Sequence, residues 1–209
     1  MLCHFGWQED IDYREYPTGF EKLDFDDSDR PFAVQVEEVV WKNLSLRDIP
    51  TFDYIRKAPV NVSTGNFTEG EQGDFHITAS HRVRRPLQAN AALPLSMKRN
   101  QYCIVDFGKT VSGTVKITLS GAVVGSQAIL SYDDQLSGGV VDPARTYALY
   151  ADRFVIGKSV QVLTTATPRG FRYIMLDLEE GCTIEKIEAV AEEYHYQSMQ
   201  AFECGDERL

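Results

Sequence analysis

The chain has 209 residues, of which 43% are apolar, 25% charged and 11% aromatic. That is enough apolar material to enclose a core, and it excludes collagen-like and disordered classes. Thirty-one acids against twenty-one bases leave a formal charge of −10, so the chain as a whole repels a phosphate backbone and nucleic acid is not an expected partner.

Residues 1–60 read as an irregular, extended N-terminal segment that packs on a sandwich. The first ten residues, from Met1 to Asp10, lack the basic stretch and apolar run of a secretory signal, which makes the cytoplasm the expected location. Nowhere does an apolar run approach the roughly 18 residues a membrane helix needs, so no membrane partner is expected. Trp7, Tyr13 and Tyr16 suit either a stacking platform or core packing. The acidic run Asp24, Asp26, Asp27 and Asp29 resembles a calcium loop, yet Asp29 falls where such a loop needs Gly and Gln35 where it needs Glu. A surface turn is expected instead, with no metal and no cofactor. Val34 to Val40 is a candidate strand, and Ile49-Pro50 an extended connection.

From residue 61 to residue 200 short β-rich runs separated by turns predict an all-β fold, a jelly-roll-like antiparallel β-sandwich. The basic cluster His81-Arg82-Val83-Arg84-Arg85, with Lys98 and Arg99 beyond, reads as a solvated loop. Tyr102 to Phe107 forms a first run and Gly108 to Gly113 a turn. Thr114 to Ser120 then alternates, with Val115, Ile117 and Leu119 on one face. Ala128, Leu130 and Tyr132 alternate with Gln127, Ile129 and Ser131, so the two runs are expected to form a hairpin. Phe154 to Ile156, Val160 to Leu163 and Phe171 to Leu176 follow as strands. Thr183 to Glu193 fits a helix through Ile184, Ile187 and Ala191, and a strand through Ile187, Ala189 and Ala191. Gly108, Gly113 and Gly170 are expected to be structural, each supplying a conformation or close approach that a Cβ would hinder.

Signatures of catalysis are missing from these runs. His4, His76, His81 and His195 accompany no Gly-x-Ser-x-Gly or catalytic-cysteine pattern, and no phosphate loop occurs. Cys3, Cys103, Cys182 and Cys204 have no metal-ligand spacing and read as reduced thiols. Asn43, Asn61 and Asn66 head glycosylation tripeptides that matter only in a secreted protein. Asp133-Asp134 end one strand, while Asp142 and Arg145 lie beyond the next turn. This layout suits a polar rim that contacts sugar or another domain, or else an ion pair that holds a loop. Tyr132, Asp133, Arg145 and Tyr147, which bracket that loop, are the candidate contact residues.

Ile104-Val105-Asp106-Phe107-Gly108, Val111-Ser112-Gly113-Thr114-Val115, Gly121, Gly125 and Leu130-Ser131-Tyr132-Asp133 occur in that order. Arg145, Ala151-Asp152-Arg153-Phe154-Val155-Ile156-Gly157 and Gly170-Phe171-Arg172-Tyr173 complete the series. Together they resemble the β-sandwich of bacterial α-L-rhamnosidases, glycoside hydrolase family 78. Asp12-Tyr13-Arg14 with Phe25-Asp26-Asp27-Ser28 resembles the stretch preceding that sandwich, and Phe202-Glu203-Cys204 the segment leading to the family's catalytic barrel. Arg30, Asp133 and Gly205 depart from the family's usual Trp, Glu and Ser or Asn.

The resemblance implies structural positions at Asp106, Gly108, Gly113, Gly170 and Arg172. It also implies that 201–209 opens a linker toward an (α/α)6 barrel that carries the acid and base of an inverting hydrolysis. The expected role is therefore a non-catalytic sandwich supporting that barrel, with the chain alone inactive on rhamnosides. A free-standing carbohydrate-binding module is the alternative. The expected partners are the barrel, rhamnose-containing glycans and, through an uncovered contact face, a second copy of the chain.

Overall fold

The computed structural model describes residues 8–17, 19–35, 45–66, 89–99, 101–145 and 149–194. Eleven strands occur among them and no helix: β1 Asp10–Asp12, β2 Asp53–Lys57, β3 Asn61–Asn66, β4 Ala89–Asn90, β5 Leu95–Met97, β6 Gln101–Ser120, β7 Gln127–Asp133, β8 Ala151–Val155, β9 Gln161–Thr164, β10 Arg169–Leu178 and β11 Cys182–Glu193. The ladder runs β1-β8-β7-β10-β6-β11-β2, with β3 and β9 also on β6, β4 on β3 and β5 on β11. Every pairing is antiparallel except β1 with β8, where Asp10 faces Arg153 in a parallel register. The fold is thus an all-β sandwich built from one curled, mixed sheet.

β6 makes the curl. Its first half lies between β10 and β3, and its second half between β11 and β9. The turn expected at residues 108–113 is instead an irregularity inside this single strand. On the β10 ladder, pairing jumps from Asp106 opposite Tyr173 to Val111 opposite Phe171, so the intervening β6 residues bulge outward. Gly108 supplies the bulge with a φ of 80°. At Gly113 the constraint is steric, because a Cβ would lie 2.1 Å from the Val190 carbonyl oxygen on β11. Gly170 differs from the expectation: nothing lies within 4 Å of where its Cβ would be, and its backbone demands no glycine.

The main core lies inside the curl. Val115, Ile117 and Leu119 of β6 meet Leu130 of β7, Phe154 of β8, Leu163 of β9, Phe171 and Ile174 of β10 and Ile187 of β11. Burying each such side chain is worth about 1.5–3 kcal/mol. The expected hairpin of Thr114–Ser120 with the run ending at Tyr132 does not form, because β7 pairs with β8 and β10. The face of β7 that carries Ile129 and Ser131 is also buried. Ile129 packs with Leu149 and Ala151, and Tyr102, Ile104 and Met175 pack under Val141. The loop between β7 and β8 therefore covers a second face of the sheet, and a strand sandwiched on both sides belongs in the interior.

β11 is a strand throughout. Its pairing with β6 shifts between Ile184 and Lys186, and this bulge turns both Ile184 and Ile187 toward the core. The three-residue spacing that imitates a helix is a bulge signature. Of the candidate strand at Val34–Val40, Val34 and Gln35 are exposed and form no strand, and the remainder lies outside the described residues.

β9 is an edge strand whose outward backbone groups are covered by side chains. The Tyr13 hydroxyl accepts a hydrogen bond from Thr164 N at 3.0 Å and reaches the Thr164 carbonyl at 3.4 Å. Gln161 Nε2 donates to the Val162 carbonyl at 3.0 Å.

Candidate functional site

Where β7 ends, a cleft of about 410 Å³ opens between the β6 bulge and the β7–β8 loop, lined by Thr110, Tyr132, Asp133, Asp134, Asp142, Arg145, Tyr150 and Gly170. The loop is shaped by its own side chains. Asp142 Oδ1 accepts from Ala144 N at 3.0 Å and the Asp142 carbonyl from Arg145 N at 3.2 Å, a turn that returns Arg145 to the strand end. Arg145 then grips Asp133 through Nε to Oδ2 at 2.9 Å and Nη2 to Oδ1 at 2.5 Å, and reaches Asp134 at 2.6 Å. Asp133 also accepts from the amides of Asp134 and Gln135. Burial pushes its carboxyl up, but Arg145 and the amides outweigh this and hold it below the usual carboxylate range.

Beneath this rim lies a second polar tier that the sequence reading does not assemble. Asp152 on β8 is 0% exposed. It accepts from the Tyr132 hydroxyl at 2.5 Å, from Arg169 Nη2 at 2.5 Å and Nε at 3.2 Å, and from Glu9 N at 2.9 Å. Glu9 takes a further bond from Arg169 at 3.1 Å and bonds from the amides of Ala166 and Thr167. The Arg169 guanidinium lies 5.3 Å from the centre of the Tyr132 ring and 5.9 Å from that of Tyr150. Burial raises the Asp152 carboxyl against the pull of Tyr132 and Arg169, while burial and the adjacent Asp152 both push the Tyr132 phenol well above its ordinary value. Burial works against the charge on Arg169, and Asp152 more than compensates.

The sequence candidates are thus divided. Asp133 and Arg145 meet at the rim. Tyr132, at 1% exposure, is floor rather than surface. Tyr147 lies outside the described residues, as do Trp7, the four histidines, the His81–Arg85 cluster, Cys3, Cys204 and the 201–209 linker. Asp106 and Arg172 form a bidentate pair at 2.9 and 3.0 Å, and Asp106 also accepts from Gly108 N at 2.6 Å. This closes the bulge onto β10. Asp152 stands inside the Ala151–Gly157 run as its one carboxylate, between Ala151 and Arg153, and is the one local signal for the buried tier. Its partners Glu9 and Arg169 are distant in sequence.

Chemically, the rim is a locked ion cluster. A general acid needs a carboxyl raised toward neutrality and facing the substrate. Asp133 is held low and shares its cation with Asp134. Among the described residues no group of three His, Cys, Asp or Glu side chains is arranged for a metal. Cys103 and Cys182 are buried free thiols, pushed up by burial to about 12 and about 11.

The family description "Bacterial alpha-L-rhamnosidase concanavalin-like domain" matches residues 96–191, from β5 through most of β11. Among solved structures, a rhamnosidase from Klebsiella oxytoca with rhamnose bound is 13% identical, with 68% of this chain and 29% of that chain covered and a TM-score of 0.47. A family 78 rhamnosidase of Bacillus sp. GL1 is 20% identical, with coverage of 60% and 14% and a TM-score of 0.46. The native α-L-rhamnosidase from Aspergillus terreus is 16% identical, with coverage of 94% and 20% and a TM-score of 0.45. The chain therefore spans less than a third of the length of these enzymes. No curated protein matches it. Over residues 96–191 the chain is thus similar to the concanavalin-like domain of the bacterial α-L-rhamnosidases.

Proposed function

We propose that the chain is a non-catalytic sandwich that docks on the (α/α)6 catalytic barrel of a rhamnosidase-like protein through the Asp133–Arg145 rim. The observation that carries this reading is the locked rim itself. Arg145 holds both Asp133 and Asp134, which suits a rigid polar contact surface better than proton transfer. The buried tier beneath holds the rim's strand end in place, through Tyr132 immediately before Asp133. The similarity of residues 96–191 to a domain of the bacterial α-L-rhamnosidases supports this reading.

The test follows the amide signals of Tyr132, Asp133 and Arg145 while a separately prepared barrel domain, and then L-rhamnose, is titrated into the chain. Shifts with the barrel and none with rhamnose support docking. Shifts with rhamnose alone at these residues assign the rim to sugar, and concentration-dependent shifts without either addition assign it to a second copy; both outcomes overturn the proposal. The chain alone is expected to leave an aryl α-L-rhamnoside uncleaved. Turnover abolished by Asp133→Asn would overturn the non-catalytic role.

A further inference from the structure

A second cleft, sharing no residue with the first, has a volume of about 540 Å³ and is lined by Tyr13, Tyr16, Gly19, Phe20 and Glu21 on one side and by Lys116, Lys158, Val160, Val162 and Thr164 on the other. This is within the size range of small-molecule sites. Its wall is an aromatic ladder that begins in the core. Tyr13 stacks on buried Phe154 at 6.1 Å, Tyr16 follows at 5.3 Å from Tyr13, and Phe20 at 6.0 Å from Tyr16. Exposure climbs along it, from 9% at Tyr13 to 39% at Tyr16 and 55% at Phe20. Single exposed aromatics are ordinary, but a file of them anchored at one end and open at the other is a preformed platform.

The cleft's polar groups define what fits there. Lys116 and Lys158 present ammonium donors, and Glu21 and Thr164 present acceptors. Gln161 lies at the floor, 3% exposed, and its Oε1 has no hydrogen-bond partner. A peptide strand is a poor occupant, because the outward backbone of β9 is already engaged by Tyr13 and Gln161. An aromatic face flanked by donors and acceptors suits a ring with one carbon–hydrogen face and a rim of oxygens. The slightly positive C–H bonds of a sugar ring lie against the negative face of an aromatic ring.

We propose that this cleft is a glycan-binding site that takes a pyranose ring, its carbon–hydrogen face on Tyr16 and Phe20 and its oxygens toward Lys116, Lys158 and Thr164. The site does not rest on the barrel-docking role, since it occupies a separate cleft. Neutral and acidic pyranoses share the stacking chemistry, and the two lysines favour a sugar that carries a carboxylate.

The test titrates the full chain with L-rhamnose and, separately, with tri-galacturonate, up to about 10 mM, well above a millimolar Kd. Amide signals of Tyr16, Phe20, Thr164 and Thr165 are followed. The expected result is saturable shifts at these residues with at least one sugar, weakened about ten-fold in the Tyr16→Ala, Phe20→Ala double variant. No shifts with either sugar, shifts confined to the Asp133–Arg145 cleft, or full affinity in the double variant would each overturn the proposal. Should the double variant misfold, Lys158→Gln decides. It is expected to weaken whichever sugar binds, tri-galacturonate most, and unchanged affinity would overturn the assignment.

Discussion

Two arginine–aspartate pairs lie one above the other at the end of β7, and they differ in almost everything except chemistry. Arg169 and Asp152 have side chains 5% and 0% exposed, whereas Arg145 is 31% exposed over a nearly covered Asp133. In the lower pair, the cost of desolvating two charges is offset only because Tyr132, Glu9 and backbone amides complete the hydrogen bonding. In the upper pair, solvent reaches the guanidinium and screens the attraction. Burial therefore decides which pair holds the domain together and which presents a surface.

The sharpest way to break this comparison is Arg169→Leu, which strands Asp152 without its cation. Destabilisation of about 3–5 kcal/mol is expected in denaturant unfolding, and a loss below 1 kcal/mol would show that the lower tier is not an energetic keystone. Tyr132→Phe removes one hydrogen bond to a charged acceptor and should cost about 1.5–3 kcal/mol, read from the same transition.

The two aspartates should also respond oppositely to pH. Asp133 has a lowered carboxyl, so its contribution is present above the unfolded value of about 4 and is lost as pH falls through the lowered folded value. Asp152 has a raised carboxyl, so its contribution is greatest below about pH 4 and declines as pH climbs through the raised value. Comparing stability–pH curves of Asp133→Asn and Asp152→Asn with the parent should reveal differences of opposite sign, and the same sign in both would collapse the distinction.

Smaller effects are expected at the rim. Arg145→Ala should cost under about 1 kcal/mol and lose part of even that in high salt. A thermal melt at two ionic strengths measures it. Gly170→Val, beside Tyr150 and with open space around its Cβ, should change stability by no more than about 0.5 kcal/mol.

The sheet was legible wherever burial is one-sided. Val115, Ile117 and Leu119 face the core while Lys116 and Thr118 do not, and the period-two signal follows directly. It fails on β7, because the covering loop buries Ile129 and Ser131 as well, and on β11, because the bulge shifts the period after Ile184. At the site, Asp133 and Arg145 are near in sequence and were readable as a pair. Glu9, Asp152 and Arg169 come together only when β1 adds to β8 and β10 pairs on the other side of β7, so no local pattern joins the three.

The covered edge of β9 has a further consequence for solubility. An unpaired edge is a template on which another chain can lay a strand, the first step of sheet-driven aggregation. Here a tyrosine hydroxyl and a glutamine amide occupy the backbone groups such a strand would need. The gatekeeper Tyr13 comes from the segment that precedes the family-matched residues 96–191. A shortened chain that kept only those residues would lose β1 to β4 and the Tyr13 part of the cap, would keep only Gln161 over Val162, and would offer the Thr164 end of β9 to its neighbours.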